Sequence, residues 1–243
     1  MPNARFARVL GITTLAACIP VIGTQIAAAP MPEADVTARL LPARPTHTAR
    51  ARQADKPPPA VIWLKPVQAN ASALTPGNFT LLQKNKMFTP HLLVVPVGSS
   101  VAFPNADPFF HNVFSLFDGR RFDLGLYEAG STRSVVFSRE GVSYIFCNIH
   151  SEMSAVVISL TTPFYAIADQ QSGFHMKGVP GGEYELHVWI EGQRQSLLDQ
   201  LTKRVHVTGD AVDLGDIRSD HPEQAQHLNK FGRPYEPDTN PIY

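Results

Sequence analysis

Apolar residues in this chain come in short runs cut by Pro, Gly and Asn. Ala60–Lys65, Phe79–Gln83, Leu92–Val95 and Ser99–Phe103 are β-rich, and Pro66, Pro76-Gly77, Pro90, Gly98 and Pro104-Asn105 punctuate them. Asn112–Phe117, Thr132–Phe137, Val142–Cys147 and Ser154–Leu160 continue the pattern, with Asp118–Gly130 read as a long turn-rich connection whose Phe122, Leu124, Leu126 and Tyr127 pack as a flap. Some seven or eight strands over this stretch predict a Greek-key sandwich. After Thr162 the pattern restarts. Phe164–Ala168, Gly173–Met176, Glu183–Trp189, Lys203–Val207 and Val212–Ile217 read as strands of a second, smaller sandwich. The fold class is all-β.

The flanks differ in texture. Residues 30–57 are rich in Ala, Arg, Pro and Thr and read as a mostly extended linker, with Asp35–Leu41 as an optional edge strand. Residues 220–243 are polar and Pro-containing and read as a loose tail. The expected organisation is 1–29, targeting segment; 30–57, linker; 58–162, first sandwich; 163–219, second sandwich; 220–243, tail.

Composition narrows the class. The 243 residues carry 21 basic and 21 acidic side chains, so the basic excess of a nucleic-acid surface is missing. Pro (21) and Gly (16) are plentiful, which favours β-structure over a helical bundle.

Arg5 and Arg8, an apolar run from Val9 to about Ile26, and Ala27-Ala28-Ala29 describe a secretory signal peptide cut after Ala29. Leu15-Ala16-Ala17-Cys18 also resembles a bacterial lipobox, with lipidation at Cys18, although Ile19–Ile22 stay apolar where a tether is usually polar. A retained anchor is the third reading, weakened by Pro20 and Gly23. All three export the chain, and a periplasmic location is expected, with membrane attachment only through lipidated Cys18 or a retained anchor. Cleavage also removes Cys18 and leaves Cys147 as the sole cysteine. A lone thiol in an oxidising compartment is exposed to oxidation unless burial or metal coordination protects it.

The neighbours of Cys147 suggest which. Cys147-Asn148-Ile149-His150-Ser151-Glu152-Met153 offers a thiolate, an imidazole and a thioether, and His111 lies 36 residues earlier at the mouth of an apolar strand, after the turn Pro104–Pro108. In a continued strand Cys147 and His150 would point to opposite faces, and in a helix positions 147, 150 and 153 would spread over roughly 120°. Convergence needs a tight loop after Cys147, closed by Met153 as the next strand begins. Two His, one Cys and a weak axial Met match a mononuclear copper electron-transfer site. Structural zinc fits less well, because Met is a poor zinc ligand. A catalytic Cys–His pair lacks an identifiable orienting acid. Asn112 is expected to hydrogen-bond across to a neighbouring loop and hold the ligand segments in register. His91 is expected to cap a loop or face solvent, and His175, His187, His206, His221 and His227 to be structural or solvated.

The run 60–162 resembles cupredoxins. The spacing Cys147-x-x-His150-x-x-Met153 is similar to the short ligand loop of amicyanin, and Phe88-Thr-Pro-His91, Phe103-Pro-Asn105-Ala-Asp107, His111-Asn-Val-Phe-Ser115 and Phe146-Cys-Asn-Ile-His150 resemble plastocyanin-like methylamine utilisation proteins. The resemblance implies type-1 copper, one ion held by His111, Cys147, His150 and Met153, and periplasmic electron transfer. Relatives often carry Pro at the position of Ser151, so the loop here is less rigid. Val179-Pro-x-Gly-x-Tyr184-x-Leu186-x-Val188-Trp189 resembles carboxypeptidase regulatory-like, transthyretin-like modules, and Ile190 stands where relatives often have His.

The expectation is an exported one-electron carrier, not an enzyme, that meets a redox protein such as a cytochrome or dehydrogenase. The alternative is a non-redox copper-binding or protein-interaction module on the same scaffold, for which the Phe109-Phe110 pair is equally suited. Multicopper chemistry would need His-x-His motifs, which do not occur.

Overall fold

The computed structural model describes residues 32–41, 57–68, 74–116, 119–218 and 228–235. The expected signal segment with Cys18, most of the expected linker, His221, His227 and the ends of the expected tail lie outside the described residues. In chain order the strands are β1 (Glu33–Leu41), β2 (Ala60–Pro66), β3 (Asn78–Thr80), β4 (Leu82–Lys84), β5 (Met87–Thr89) and β6 (Leu92–Pro96). Then come β7 (Ser99–Pro104), β8 (His111–Ser115), β9 (Phe122–Tyr127), β10 (Thr132–Phe137), β11 (Gly141–Phe146) and β12 (Ser154–Leu160). The last third holds β13 (Tyr165–Ile167), β14 (Gly173–Pro180), β15 (Gly182–Ile190), helix α1 (Gln195–Leu201), β16 (Lys203–Val207) and β17 (Ala211–Arg218).

The expected all-β sandwich is present. One layer is the five-stranded sheet β6-β12-β11-β8-β9, faced by the three-stranded sheet β10-β7-β3. Period-two alternation sends Leu93 and Val95 of β6, Val113 of β8, Ile145 of β11 and Ala155 and Val157 of β12 into one core with Val101, Phe103 and Phe137. The opposite face is covered as well. Val94, Val156, Ile158 and Leu160 join a second core with Val36, Ile62, Leu64, Phe174 and Trp189. Trp189 Nε1–H donates to the Tyr144 hydroxyl across that joint (3.1 Å).

Four expectations change. The Asp118–Gly130 connection contains a real strand: β9 pairs antiparallel with β8, His111 opposite Tyr127 and Ser115 opposite Phe122. Residues 33–41, expected inside the linker with at most an edge strand, form the centre of the sheet β14-β1-β17. The burial of Val36, Ala38 and Leu40 on one face of β1 supplies the reason. Ala60–Pro66, expected in the first sandwich, pairs with β13 and β15 in the sheet β13-β2-β15-β16. Its near-continuous apolar run suits a strand covered on both sides, and that pattern does not say which sheet receives it. Finally, α1 was not expected; Leu198 is the residue it buries.

His91 sits where the layers meet. Its Nδ1–H donates to Ser154 O (3.1 Å) and its Nε2–H to Glu191 Oε1 (2.6 Å). With acceptors on both ring nitrogens, the cation is the favoured form, and the Glu191 hydrogen bond raises the His91 pKa above its ordinary value against the opposing effect of burial. The other described histidines fit the structural or solvated reading: His187 stacks on Trp63 (5.3 Å), His206 pairs with Glu183, and His175 lies 3.6 Å from Asp169.

Two outcomes are expected. Ile158→Ala, emptying space between the layers, costs about 2–5 kcal/mol in urea unfolding. Because the folded His91 pKa is raised, the pair's stabilisation is fully present below the unfolded value of 6.5 and is lost as pH rises through the folded value. The stability gap between wild type and Glu191→Gln is therefore largest near pH 5.5 to 6 and smaller near pH 8; a gap that widens with pH contradicts the assignment.

Candidate metal centre

Strand parity aims the ligands. On β8, His111 shares a face with Val113; past the end of β11, Cys147 shares a face with Ile145; both faces look into the first core. Phe146 and Phe114 are register partners, so the two strand ends lie side by side. The chain then turns sharply. Cys147 N–H donates to Met153 O (3.2 Å) and Met153 N–H to His150 O (3.1 Å), which folds residues 148–152 into a closed loop ahead of β12. This is the loop the spacing demanded.

The loop brings three donors together. His111 Nδ1 and His150 Nδ1 are 3.1 Å apart, and Cys147 Sγ lies 3.6 Å from His150 Nδ1 and 3.9 Å from His111 Nδ1. The point equidistant from the three atoms is about 2 Å from each, the length of a bond from a transition metal to N or S. Among the described residues this is the one His/Cys/Asp/Glu group able to hold a metal ion. His111 and Cys147 are fully buried, while His150 is partly exposed. The His150 ring edge therefore reaches the surface, flanked by Phe109, whose ring centroid is 5.6 Å away. Met153 is fully buried in the same core cluster as Cys147. Its backbone closes the loop.

A residue beyond the expected set completes the site. Asp107 Oδ2 accepts from His111 Nε2–H (2.8 Å). Asp107 is the orienting acid that could not be identified in the sequence. The signal was available: a carboxylate four residues before a candidate His ligand, inside a turn, is the partner a metal-binding imidazole uses to fix its tautomer. With the proton on Nε2, Nδ1 keeps its lone pair for the cluster. Burial holds the His111 pKa below its ordinary value and outweighs the pull of Asp107, so the ring is neutral near pH 7.

Asp107 is itself held. Its oxygens accept from Asn85 N–H (2.6 Å) and Lys86 N–H (2.9 Å). Those residues form the two-residue turn joining β4 and β5, both at positive φ (55° and 54°). Burial pushes the Asp107 carboxyl up, but the Lys86 N–H, the His111 hydrogen bond and the Asn85 N–H together hold it below the usual carboxylate range. Asn105 steadies the same turn, its Oδ1 accepting from Asp107 N–H (3.0 Å) and its Nδ2 donating to Phe109 O (2.8 Å).

Around the sulfur, burial raises the Cys147 pKa, and the backbone N–H groups of Asn112, Ile149 and His150 oppose it by pointing at the thiol. Asn112 does link segments, but not as expected. Its side-chain Nδ2–H goes to the Asp123 carboxylate (2.7 Å), and its backbone N–H serves Cys147. A side-chain amide reaches a carboxylate more favourably than a neutral carbonyl. These donors fit a metal bound as thiolate with neutral imidazoles. A nucleophilic cysteine is a poorer fit, since it needs access and a depressed pKa, and Cys147 has neither.

No protein-family model matches the chain. No curated protein matches it either. Solved structures give partial, low-scoring overlaps with cupredoxins. A purple cupredoxin from Nitrosopumilus maritimus is 24% identical over 33% of this chain and 98% of its own, with a TM-score of 0.31. A reduced amicyanin mutant is 17% identical over 41% of this chain and 98% of its own, with a TM-score of 0.33. A copper-containing nitrite reductase from Thermus scotoductus is 25% identical over 40% of this chain but only 25% of its own length, with a TM-score of 0.33.

Replacing Asp107 with Ala removes an acceptor from three N–H groups. The expected cost is roughly 1–3 kcal/mol in chemical unfolding. In ¹⁵N-detected imidazole spectra of metal-free protein, wild-type His111 is expected as the Nε2–H tautomer and the variant as a mixture; a pure Nε2–H spectrum in both rules out the positioning role.

Proposed function

We propose that the chain is an exported type-1 copper protein that binds one copper ion through His111, Cys147, His150 and the Met153 thioether and carries single electrons. The observation that carries this reading is the triangle of His111 Nδ1, His150 Nδ1 and Cys147 Sγ at 3.1, 3.6 and 3.9 Å. Two imidazoles and one thiolate, with Met153 buried in the same core cluster as Cys147, suit copper better than zinc. When bound, copper would supply a one-electron couple. The protein's part is to hold His111 by Asp107, to direct N–H groups at the sulfur, and to keep the donors on strand ends that move little. A site fixed in advance for both oxidation states reorganises little on electron transfer.

The exit for the electron in this reading is the His150 edge, the ligand nearest solvent. Ile149, next to it in the loop, is 45% exposed, and Phe110, next to Phe109 in the chain, is 53% exposed; these apolar side chains are where a redox protein could settle. In this reading the centre is a carrier rather than a catalyst, a role that the burial of the His111 and Cys147 donors supports. Export through residues 1–29 to a periplasm, lipidation at Cys18, a cytochrome or dehydrogenase as partner and a place in methylamine utilisation belong to the same proposal and rest on the sequence readings. So does the division into a copper domain, 58–162, and a regulatory-like β module, 163–219.

Addition of Cu(II) to the mature protein is expected to give an intense visible thiolate-to-copper absorption with a stoichiometry of one and a reversible redox couple. Cys147→Ser abolishes the colour, and Met153→Leu keeps it while shifting the potential. No colour with the thiol still free sinks the copper reading, while colour without a reversible couple sinks the carrier role.

A further inference from the structure

We infer that Lys230 and Tyr235 are positioning residues: the segment 228–235 is a C-terminal strap that pins the loop after Cys147 to the strands carrying His111 and so controls access to the thiol. The sequence reading made this stretch part of a loose tail. The structure places it against the candidate metal centre, more than 80 residues away along the chain.

Three contacts make the strap. The Tyr235 hydroxyl donates to Cys147 O (2.7 Å), Lys230 N–H donates to Asn148 Oδ1 (2.9 Å), and Lys230 Nζ donates to Asp123 Oδ2 (2.8 Å). The first two hold the Cys147-Asn148 peptide at the point where β11 becomes the ligand loop. The third reaches the other ligand segment, because Asp123 Oδ1 accepts from Asn112 Nδ2 (2.7 Å), next to His111. A path of charged and polar contacts thus runs from Asn148 through Lys230 and Asp123 to Asn112, bridging the two chain segments whose side chains meet in the cluster.

The strap arrives already shaped. Asn229 N–H donates to Arg233 O and Gly232 N–H to Asn229 O, both at 2.9 Å, and Asn229 Oδ1 accepts from Phe231 N–H (3.0 Å) and Arg233 N–H (3.1 Å). Gly232 takes φ 71°, which the turn requires and an L side chain resists. Such a hook loses less entropy on docking than an unstructured tail. The Phe231 ring lies against Lys230 Nζ (5.3 Å), whereas the Leu228 side chain, 49% exposed, takes no part in the three strap contacts and serves as an internal control.

The consequence concerns the thiol. Cys147 is fully buried, so a reagent reaches it only when the loop opens, and the observed modification rate constant is that of an exposed thiol weighted by the population of the open form. Strap contacts exist only in the closed form, so losing one raises that population. No metal is needed for this, and the test is made on the metal-free full chain carrying Cys18→Ser, which leaves Cys147 as the sole cysteine and where failure of the copper reading leaves the result interpretable.

The probe is a charged aromatic disulfide reagent reacting with Cys147 under conditions where opening is in rapid equilibrium. Tyr235→Phe and Lys230→Met are each expected to react about fivefold faster than wild type, the effect of one net hydrogen bond or ion pair on a local equilibrium. The double variant should exceed both. Lys230→Arg should restore the wild-type rate, and Leu228→Ser should not change it. Urea below the unfolding transition should leave each of these rates nearly unchanged, because opening of one loop exposes little surface. Unchanged rates in Tyr235→Phe and Lys230→Met overturn the proposal. So do rates that rise with sub-denaturing urea as steeply as global unfolding requires, equal acceleration by Leu228→Ser, or failure of the Arg variant to rescue.

Discussion

Strand β12 is buried along both faces, and the site depends on that. Ala155 and Val157 enter one core, and Val156, Ile158 and Leu160 enter the other. β12 also pairs with β11 in full register, Phe146 opposite Ser154 and Gly141 opposite Ser159. The loop 147–153 is the connection between these two strands, so its ends have no freedom to separate. Two cores gripping one sheet turn a seven-residue sequence motif into a rigid pocket edge. A sheet half exposed to water would leave the same loop hanging from a softer support.

Fixing the second donor segment takes polar contacts rather than packing. His111 is buried and neutral, which suits a ligand but would leave a ring N–H without a partner. Asp107 takes that N–H, and the β4–β5 turn in turn satisfies Asp107. A buried carboxylate without those donors would be costly. The result is a chain of dependence: turn, carboxylate, imidazole, donor triangle. Each link is a hydrogen bond of ordinary length, and each removes one degree of freedom from the cluster.

The two sides of the centre have opposite characters. Inward lie His111, Cys147 and Met153, sealed by aromatic and branched side chains. Outward lies the partly exposed His150, with exposed Ile149 just before it and the Phe109 ring 5.6 Å away. Beside it the segment 228–235 lies over Asn148 and the Cys147 carbonyl. A centre arranged in this way has one face through which anything can communicate, and it is the face made by the ligand loop. The chemistry proposed for it and the strap inferred around it both follow from that asymmetry.

What the sequence determined by itself was local. Alternation with Pro and Gly punctuation was enough for an all-β fold, because side-chain period two is a property of single strands. The Cys147, His150 and Met153 spacing demanded a tight loop, because no regular element lets those positions converge. His111 was legible as a candidate from its place at a strand mouth. What only the tertiary structure decided was partnership. The apolar pattern of Ala60–Pro66 says that the strand is buried and not that β13 and β15 flank it. The same holds for Glu33–Leu41, whose alternation was hidden in linker-like composition and which became a central strand between β14 and β17. Asp107 looked like a turn residue until the β4–β5 hairpin and His111 closed on it. Lys230 and Tyr235 looked like tail residues until the fold carried them to Asn148 and Cys147. The reason is common to all four. Hydrophobic periodicity records which face of an element is buried, whereas strand neighbours and hydrogen-bond partners distant in sequence are chosen by the packing of the whole chain.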